Sequence, residues 1–178
     1  MHLLPNFIAK HIDSCVFISA FMPDEEDHQA GLDVVARSFL IQIVDHEPNS
    51  RLRMSLPAWG EVLLRHLKSK ADDPTQAGMQ TLKEFFRTSG QKLEPFSPKL
   101  RGTPENLNNV LGSVKDCCEE MKNSHADTQI VAYAMVDPDA SNLYTTDNHL
   151  LTCTRLRNVI RDFREDQNLR RLRIGPVE

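Results

Sequence analysis

Four acids, Asp13, Glu61, Asp127 and Asp147, are placed along the chain where an alternating fold can bring them to one edge of a sheet. Asp127 opens a segment in which Ile130, Val131, Ala134 and Met135 recur at helical spacing, with small Ala132 and Ala134 permitting close packing. Residues 142–147 then read as a short strand ending in Asp147. Each acid also has a purely structural reading. Asp at a helix start caps free N–H groups, and Glu early in a helix suits the helix dipole. Convergence would change that balance. Two carboxylates ~5 Å apart repel by roughly 3 kcal/mol at an effective dielectric near 20. Several together must take up protons or hold a cation. All-oxygen ligation favours Mg²⁺ or Mn²⁺ over zinc. Such ions polarise phosphoryl oxygens and activate water, which suits phosphodiester hydrolysis.

The elements that must position these acids follow from periodicity. Residues 1–10 read as a lead-in. Residues 12–20 read as a buried strand, because Val16, Phe17 and Ile18 are consecutively apolar. A tight turn after Asp13 and Ser14 would aim the Asp13 carboxylate out of the sheet. Leu32, Val35, Phe39 and Ile43 mark a helix over 28–44, and residues 52–56 a second strand. Pro57 opens a helix that carries Glu61 in its first turn. Helices over 75–89 and 103–121 surround a candidate edge strand at 91–96, weakened by Pro95. Residues 68–122 thus form a mainly helical insertion within the domain. A helix over 148–164 places Arg157, Arg161 and Arg164 on one face, either as a solvated face paired with Asp162 and Glu165 or as a phosphate-contacting strip. Residues 169–174 read as a last strand, its Arg residues blunting an edge. Alternation of this kind implies a three-layer α/β/α domain with a central, mainly parallel sheet, and groups that act chemically gather beyond the carboxyl ends of its strands.

Composition limits the alternatives. A chain of 178 residues, 40% hydrophobic, fits one domain, residues 1–178, with a real core. The net charge of −4 argues against coating nucleic acid by bulk charge. Charge is uneven, however: from Leu151 onward seven Arg against four acids give +3. Cys15, Cys117, Cys118 and Cys153 lack zinc or disulfide spacing and read as reduced thiols of a cytoplasmic protein. No apolar run approaches the ~18 residues of a membrane span. No glycine-rich phosphate loop supports a nucleotide cofactor.

The sequence resembles the PIN-domain ribonucleases, VapC-like members among them. The resemblance is carried by Asp13-Ser14-Cys15-Val16, by Glu61 early in the second helix, by Asp127-Thr128-Gln129-Ile130-Val131-Ala132-Tyr133-Ala134, and by Thr145-Thr146-Asp147. It runs from about residue 11 to the end of the chain. It implies a PIN-like domain and Mg²⁺- or Mn²⁺-dependent cleavage of single-stranded RNA. Asp13, Glu61, Asp127 and Asp147 would be both the metal ligands and the catalytic set, supported by Ser14 and Thr146. Arg157, Arg161 and Arg164 would contact RNA phosphate. Family members are often toxins of toxin–antitoxin pairs and often homodimers, so a cognate antitoxin and a second copy are the implied partners. Cys15 departs from the usual Asn or Ser, which weakens a supporting hydrogen bond and leaves room for a catalytically weak or inactive RNA-binding or partner-docking module.

Overall fold

The computed structural model describes residues 7–68, 80, 83–85, 87, 92–98 and 107–177. Five parallel strands lie in the order β3-β2-β1-β4-β5. They are β1 (Ile8–Ile12), β2 (Ser50–Ser55), β3 (Leu93–Phe96), β4 (Ala140–Tyr144) and β5 (Arg173–Gly175). The helices are α1 (Ser14–Phe21), α2 (Glu25–Gln29), α3 (Leu32–His46), α4 (Leu56–Lys68), α5 (Leu107–Lys115), α6 (Glu119–Asn123), α7 (His125–Val136), α8 (Asn148–Thr152) and α9 (Thr154–Asp166). The fold is the three-layer α/β/α arrangement with a parallel sheet expected from the alternation. Adjacent residues of β1 show the two covered faces, since successive strand side chains point oppositely. Lys10 faces α3, pairing with Glu47 at 2.6 Å, and Tyr144 on the neighbouring strand packs on Phe39 of α3 at 4.5 Å. His11 faces the other way, toward Asp137 just beyond α7, at 2.7 Å.

The strand expected over 12–20 is corrected. The strand is Ile8–Ile12, and 14–21 is a helix. A short apolar run does not distinguish a buried strand from a buried helix. Here Val16, Phe17, Ala20 and Phe21 are all buried, and α1 packs on α3 and α4. Phe17 and Phe21 meet Phe85 at 6.0 and 5.4 Å, and Phe17 meets Trp59 at 6.3 Å. The real strand looked like a polar lead-in because Lys10 and His11 find their partners far along the chain.

The candidate edge strand at 91–96 is present. Residues 93–96 form β3 and belong to the sheet, as an edge strand. The helix expected over 75–89 lies mostly outside the described residues. That expected over 103–121 is α5 and α6, separated at residues 116–118, where the Cys117 N–H turns back to the Val114 carbonyl at 3.1 Å. The helix expected over 148–164 breaks at Cys153, whose sulfur caps α9 by accepting from the Leu156 N–H at 3.4 Å. Both edge strands are short, which limits sheet extension by a foreign strand. Among the described residues no helix is long and apolar enough to cross a membrane.

Candidate active site

The site is built at the carboxyl end of β1. Asp13 extends the ladder by one step, its N–H donating to the Tyr144 carbonyl at 3.0 Å. It then takes the N-cap position of α1 without capping it by its side chain. Its carboxylate is 2% exposed and is held at both oxygens. Thr145, just beyond β4, donates its hydroxyl to Oδ2 at 2.7 Å, and the Ser14 hydroxyl lies 3.2 Å from Oδ1. The same Ser14 Oγ is 2.5 Å from Oε2 of Glu61 on α4. Glu61 is in the second turn of α4 rather than the first, because the helix begins at Leu56.

Proton counting shows why this pair is uneasy. A serine hydroxyl has one proton to donate. Ser14 therefore satisfies one of its two carboxylates, and the other is left to water, a proton or a cation. The electrostatics agree. Burial pushes the Asp13 carboxyl above its ordinary range, and the charge of Asp127 adds to this against the hydrogen bonds from Thr145, Cys15 and the Ser14 backbone. Burial likewise raises Glu61, with Asp127 and Asp13 pushing the same way against the bond from Ser14. Asp13, Glu61 and Asp127 thus feel one another's charge, and no Lys, Arg or His pairs with any of the three among the described residues.

Asp127 does not cap its helix. Ser124 is the N-cap of α7, its hydroxyl accepting from the Asp127 N–H at 3.2 Å, so the Asp127 carboxylate is released from that duty. Asp147 is the opposite case. It lies three residues past the end of β4, and its Oδ1 caps α8 by accepting from the His149 N–H at 2.7 Å. Its own N–H donates to Thr145 Oγ1 at 2.9 Å, so Asp147 is tied to Asp13 through the threonine.

Thr145 and Cys15 are the residues the sequence reading undervalued. Thr146, expected to support the site, reaches Cys15 Sγ with its side chain and with its backbone N–H, the latter at 3.3 Å, while Thr145 supplies the hydroxyl that touches Asp13. Cys15 Sγ is 3.2 Å from Thr145 Oγ1. Thr145 spends its proton on Asp13, so in its contact with Cys15 it can accept from the thiol, which also reaches Asp13. The thiol is kept protonated, its pKa pushed up to about 12 by burial and by Asp13. Cys15 is thus tied into the hydrogen bonds that hold Thr145 and Asp13. Cys15→Val, which keeps the volume and loses the donor, should leave Thr145 free to rotate from Asp13 and cut site function about tenfold (~1.4 kcal/mol), whereas Cys15→Ser retains it. A Val variant as active as wild type would remove Cys15 from the site.

The donor set fits a hard divalent cation in kind and charge, with oxygen ligands only and carboxylates destabilised by their own crowding. Its spacing is not that of a finished ligand shell: among the described residues no three of His, Cys, Asp or Glu stand close enough together to hold an ion.

Of the three expected phosphate-binding arginines, Arg164 is corrected. It continues the buried stripe of Leu156 and Ile160 at i+4 spacing and is 1% exposed. Its guanidinium donates to the carbonyls of Met135, Asp137, Ala140 and Arg170 at 2.6 to 3.0 Å, tying α9 to the turn before β4. Burial lowers its pKa to about 10. Arg157 and Arg161 are exposed. Arg157 reaches the Leu151 carbonyl and Arg161 pairs with Asp162 at 2.8 Å. No protein-family model matches the chain, and no curated protein is significantly similar to it.

Proposed function

We propose that this chain is a divalent-metal-dependent endoribonuclease acting on single-stranded RNA, as its resemblance to PIN-domain ribonucleases implies. One observation carries the reading: Asp13 and Glu61, half-buried or better, share a single serine proton beside Asp127 at the carboxyl ends of parallel strands, with no Lys, Arg or His paired to them among the described residues. That is where functional groups of a parallel α/β sheet collect. Mg²⁺ or Mn²⁺ there would supply Lewis-acid polarisation of the phosphoryl oxygen and a more acidic water. Asp13 and Asp127 would hold the ion, and Asp147 would join them where its capping bond allows. Glu61, its pKa raised, would hold the ion or accept the proton of the attacking water. Ser14 and Thr145 orient the carboxylates, and Cys15 orients Thr145. A cytoplasmic location, a toxin role with a cognate antitoxin, and a homodimer belong to the same proposal.

The second reading is an RNA-binding or partner-docking module without strong cleavage. It is favoured by the wide spacing of the acids and by the commitment of Asp147 to a helix cap. Calorimetric titration with Mn²⁺ at neutral pH separates the two. The nuclease reading expects saturable binding that Asp127→Asn weakens at least tenfold (~1.4 kcal/mol), followed by chelator-sensitive RNA cleavage. Wild type that takes up no Mn²⁺ even with a non-cleavable RNA present would eliminate the metal-dependent reading.

A further inference from the structure

A second charged feature lies between α9 and the chain leading into β5. A cleft of about 340 Å³ is lined by Arg157, Arg161, Arg171 and Arg173 together with Leu172 and Ile174. Two of the arginines come from a helix at i, i+4 spacing and two from extended chain at i, i+2 spacing. Both spacings set neighbouring side chains ~6 Å apart, comparable to successive phosphates along a single strand. Among the described residues no carboxylate lines this cleft, and only Arg161 has an acidic partner, Asp162 at its margin. Arg171 and Arg173 are exposed. Four guanidinium groups around one concavity repel one another, and in a chain of net charge −4 this concentration is local. Arginine is the side chain best matched to phosphate oxygens, through its planar fork of donors. A smaller recess, sharing Arg161 and Arg171 and adding Glu165, continues the groove, so its shape suits an extended ligand. The strand that carries Arg173 is itself joined to the Asp13 site. Gly175, two residues after Arg173, accepts from the Thr145 N–H at 3.1 Å, and Thr145 holds Asp13.

We propose that the Arg157–Arg161–Arg171–Arg173 cleft binds backbone phosphates of a single-stranded nucleic acid and leads the strand toward Asp13. This rests on the nucleic-acid reading above but not on cleavage. The test is fluorescence anisotropy of a labelled short single-stranded RNA in the presence of chelator, across a salt series, so that no cleavage enters the readout. Arg171→Gln/Arg173→Gln should bind about tenfold or more weakly and flatten the plot of log affinity against log salt by about 0.7 for each phosphate left without its arginine. Arg157→Gln should weaken binding in the same sense. Lys83→Gln/Lys115→Gln, matched in charge change but outside the cleft, should bind as wild type does. Equal affinity of the cleft and control variants overturns the proposal. So does wild type that binds inorganic phosphate in the cleft but not RNA, which would assign it to a small phosphorylated ligand. RNA binding that persists while Mn²⁺ uptake and cleavage are absent upholds the cleft and removes only the nuclease reading.

Discussion

Asp137→Ala should destabilise the protein by about 3–5 kcal/mol, because it strands a buried charge. Asp137 is fully buried and accepts from Arg53 Nη1 at 2.8 and 2.6 Å, from the His11 ring at 2.7 Å and from the Asp139 N–H at 3.1 Å. Arg53, also fully buried, would keep only Glu94 and Asp139, both partly exposed, at 3.2 and 3.1 Å. Its Nη2 already has no hydrogen-bond partner among the described residues, though Phe96 lies against the guanidinium at 5.5 Å. The pH dependence has a definite sign. Burial alone would raise the Asp137 carboxyl, but His11 and Arg53 together hold it down at about 2. A depressed carboxyl stabilises the fold above its unfolded pKa of ~4 and loses that contribution as pH falls toward 2. His11 acts in the same direction from higher pH, since burial lowers its pKa against the pull of Asp137. The contribution of Asp137 and His11 to stability should therefore fall as pH drops below about 6.5, and steeply below 4. Urea midpoints from pH 7 to pH 3 measure both effects. An Ala variant within 1 kcal/mol of wild type, or an acid limb unchanged by the substitution, would show that the pair is not holding the sheet.

Asp13→Asn should do the reverse: it should abolish the proposed chemistry and strengthen the fold. Removing one electrostatic contributor at a reacting centre commonly costs on the order of a hundred- to a thousandfold in kcat. The amide keeps an oxygen for the Thr145 hydroxyl and brings N–H donors toward Ser14 and Glu61. It also removes one of the crowded charges. The Asp13 carboxyl is raised in the folded state, so the folded protein binds that proton more tightly than the unfolded chain does. The Asp13 contribution to stability therefore declines as pH rises from ~4 through its folded pKa, and a neutral-pH wild type without a cation bears that cost. The Asn variant should melt higher at pH 8 in chelator, by about 2–4 °C for each kcal/mol relieved. The gap should close toward pH 4. Mn²⁺ should raise wild-type melting and leave the variant where it was. A variant that melts lower at pH 8, or cleaves RNA at the wild-type rate, rules out Asp13 as a crowded functional acid.

How far the sequence could be read depended on where each residue's partner lies. The helices α3 and α4 carry an apolar stripe and α7 a nearly continuous buried run, all readable locally, and alternation then implied the parallel sheet. β1 was not readable in this way, because Lys10 and His11 are satisfied by Glu47 and Asp137, 37 and 126 positions away. Arg164 was misread for a related reason: its charge outweighed its place on the Leu156–Ile160 stripe, and its four carbonyl partners come from other segments. At the site, the acids are recognisable by residue type and by their place in the alternation. Their coupling follows for Asp13, Glu61 and Asp127. The capping assignment was available but misplaced. Ser124, three residues before Asp127, is a legible N-cap, and it leaves Asp147 as the acid occupied with capping. Thr145 was indistinguishable from Thr146 until the end of β4 was located.

The strand order has a consequence for synthesis. β1 sits in the middle of the sheet, yet it is made first. One neighbour, β2, follows some 40 residues later, while the other, β4, waits until residues 140–144. Thr145 trails Asp13 by 132 positions. A nascent chain thus carries a central strand that is paired on one edge only until residues 140–144 are made, the kind of open edge that chaperones engage and that aggregates when crowded. Parallel pairing over such separations is also slow. The same delay acts as a safeguard. Asp13 does not acquire the hydroxyl that orients it until the ribosome has passed Thr145, so a partly made chain carries the acids without the site.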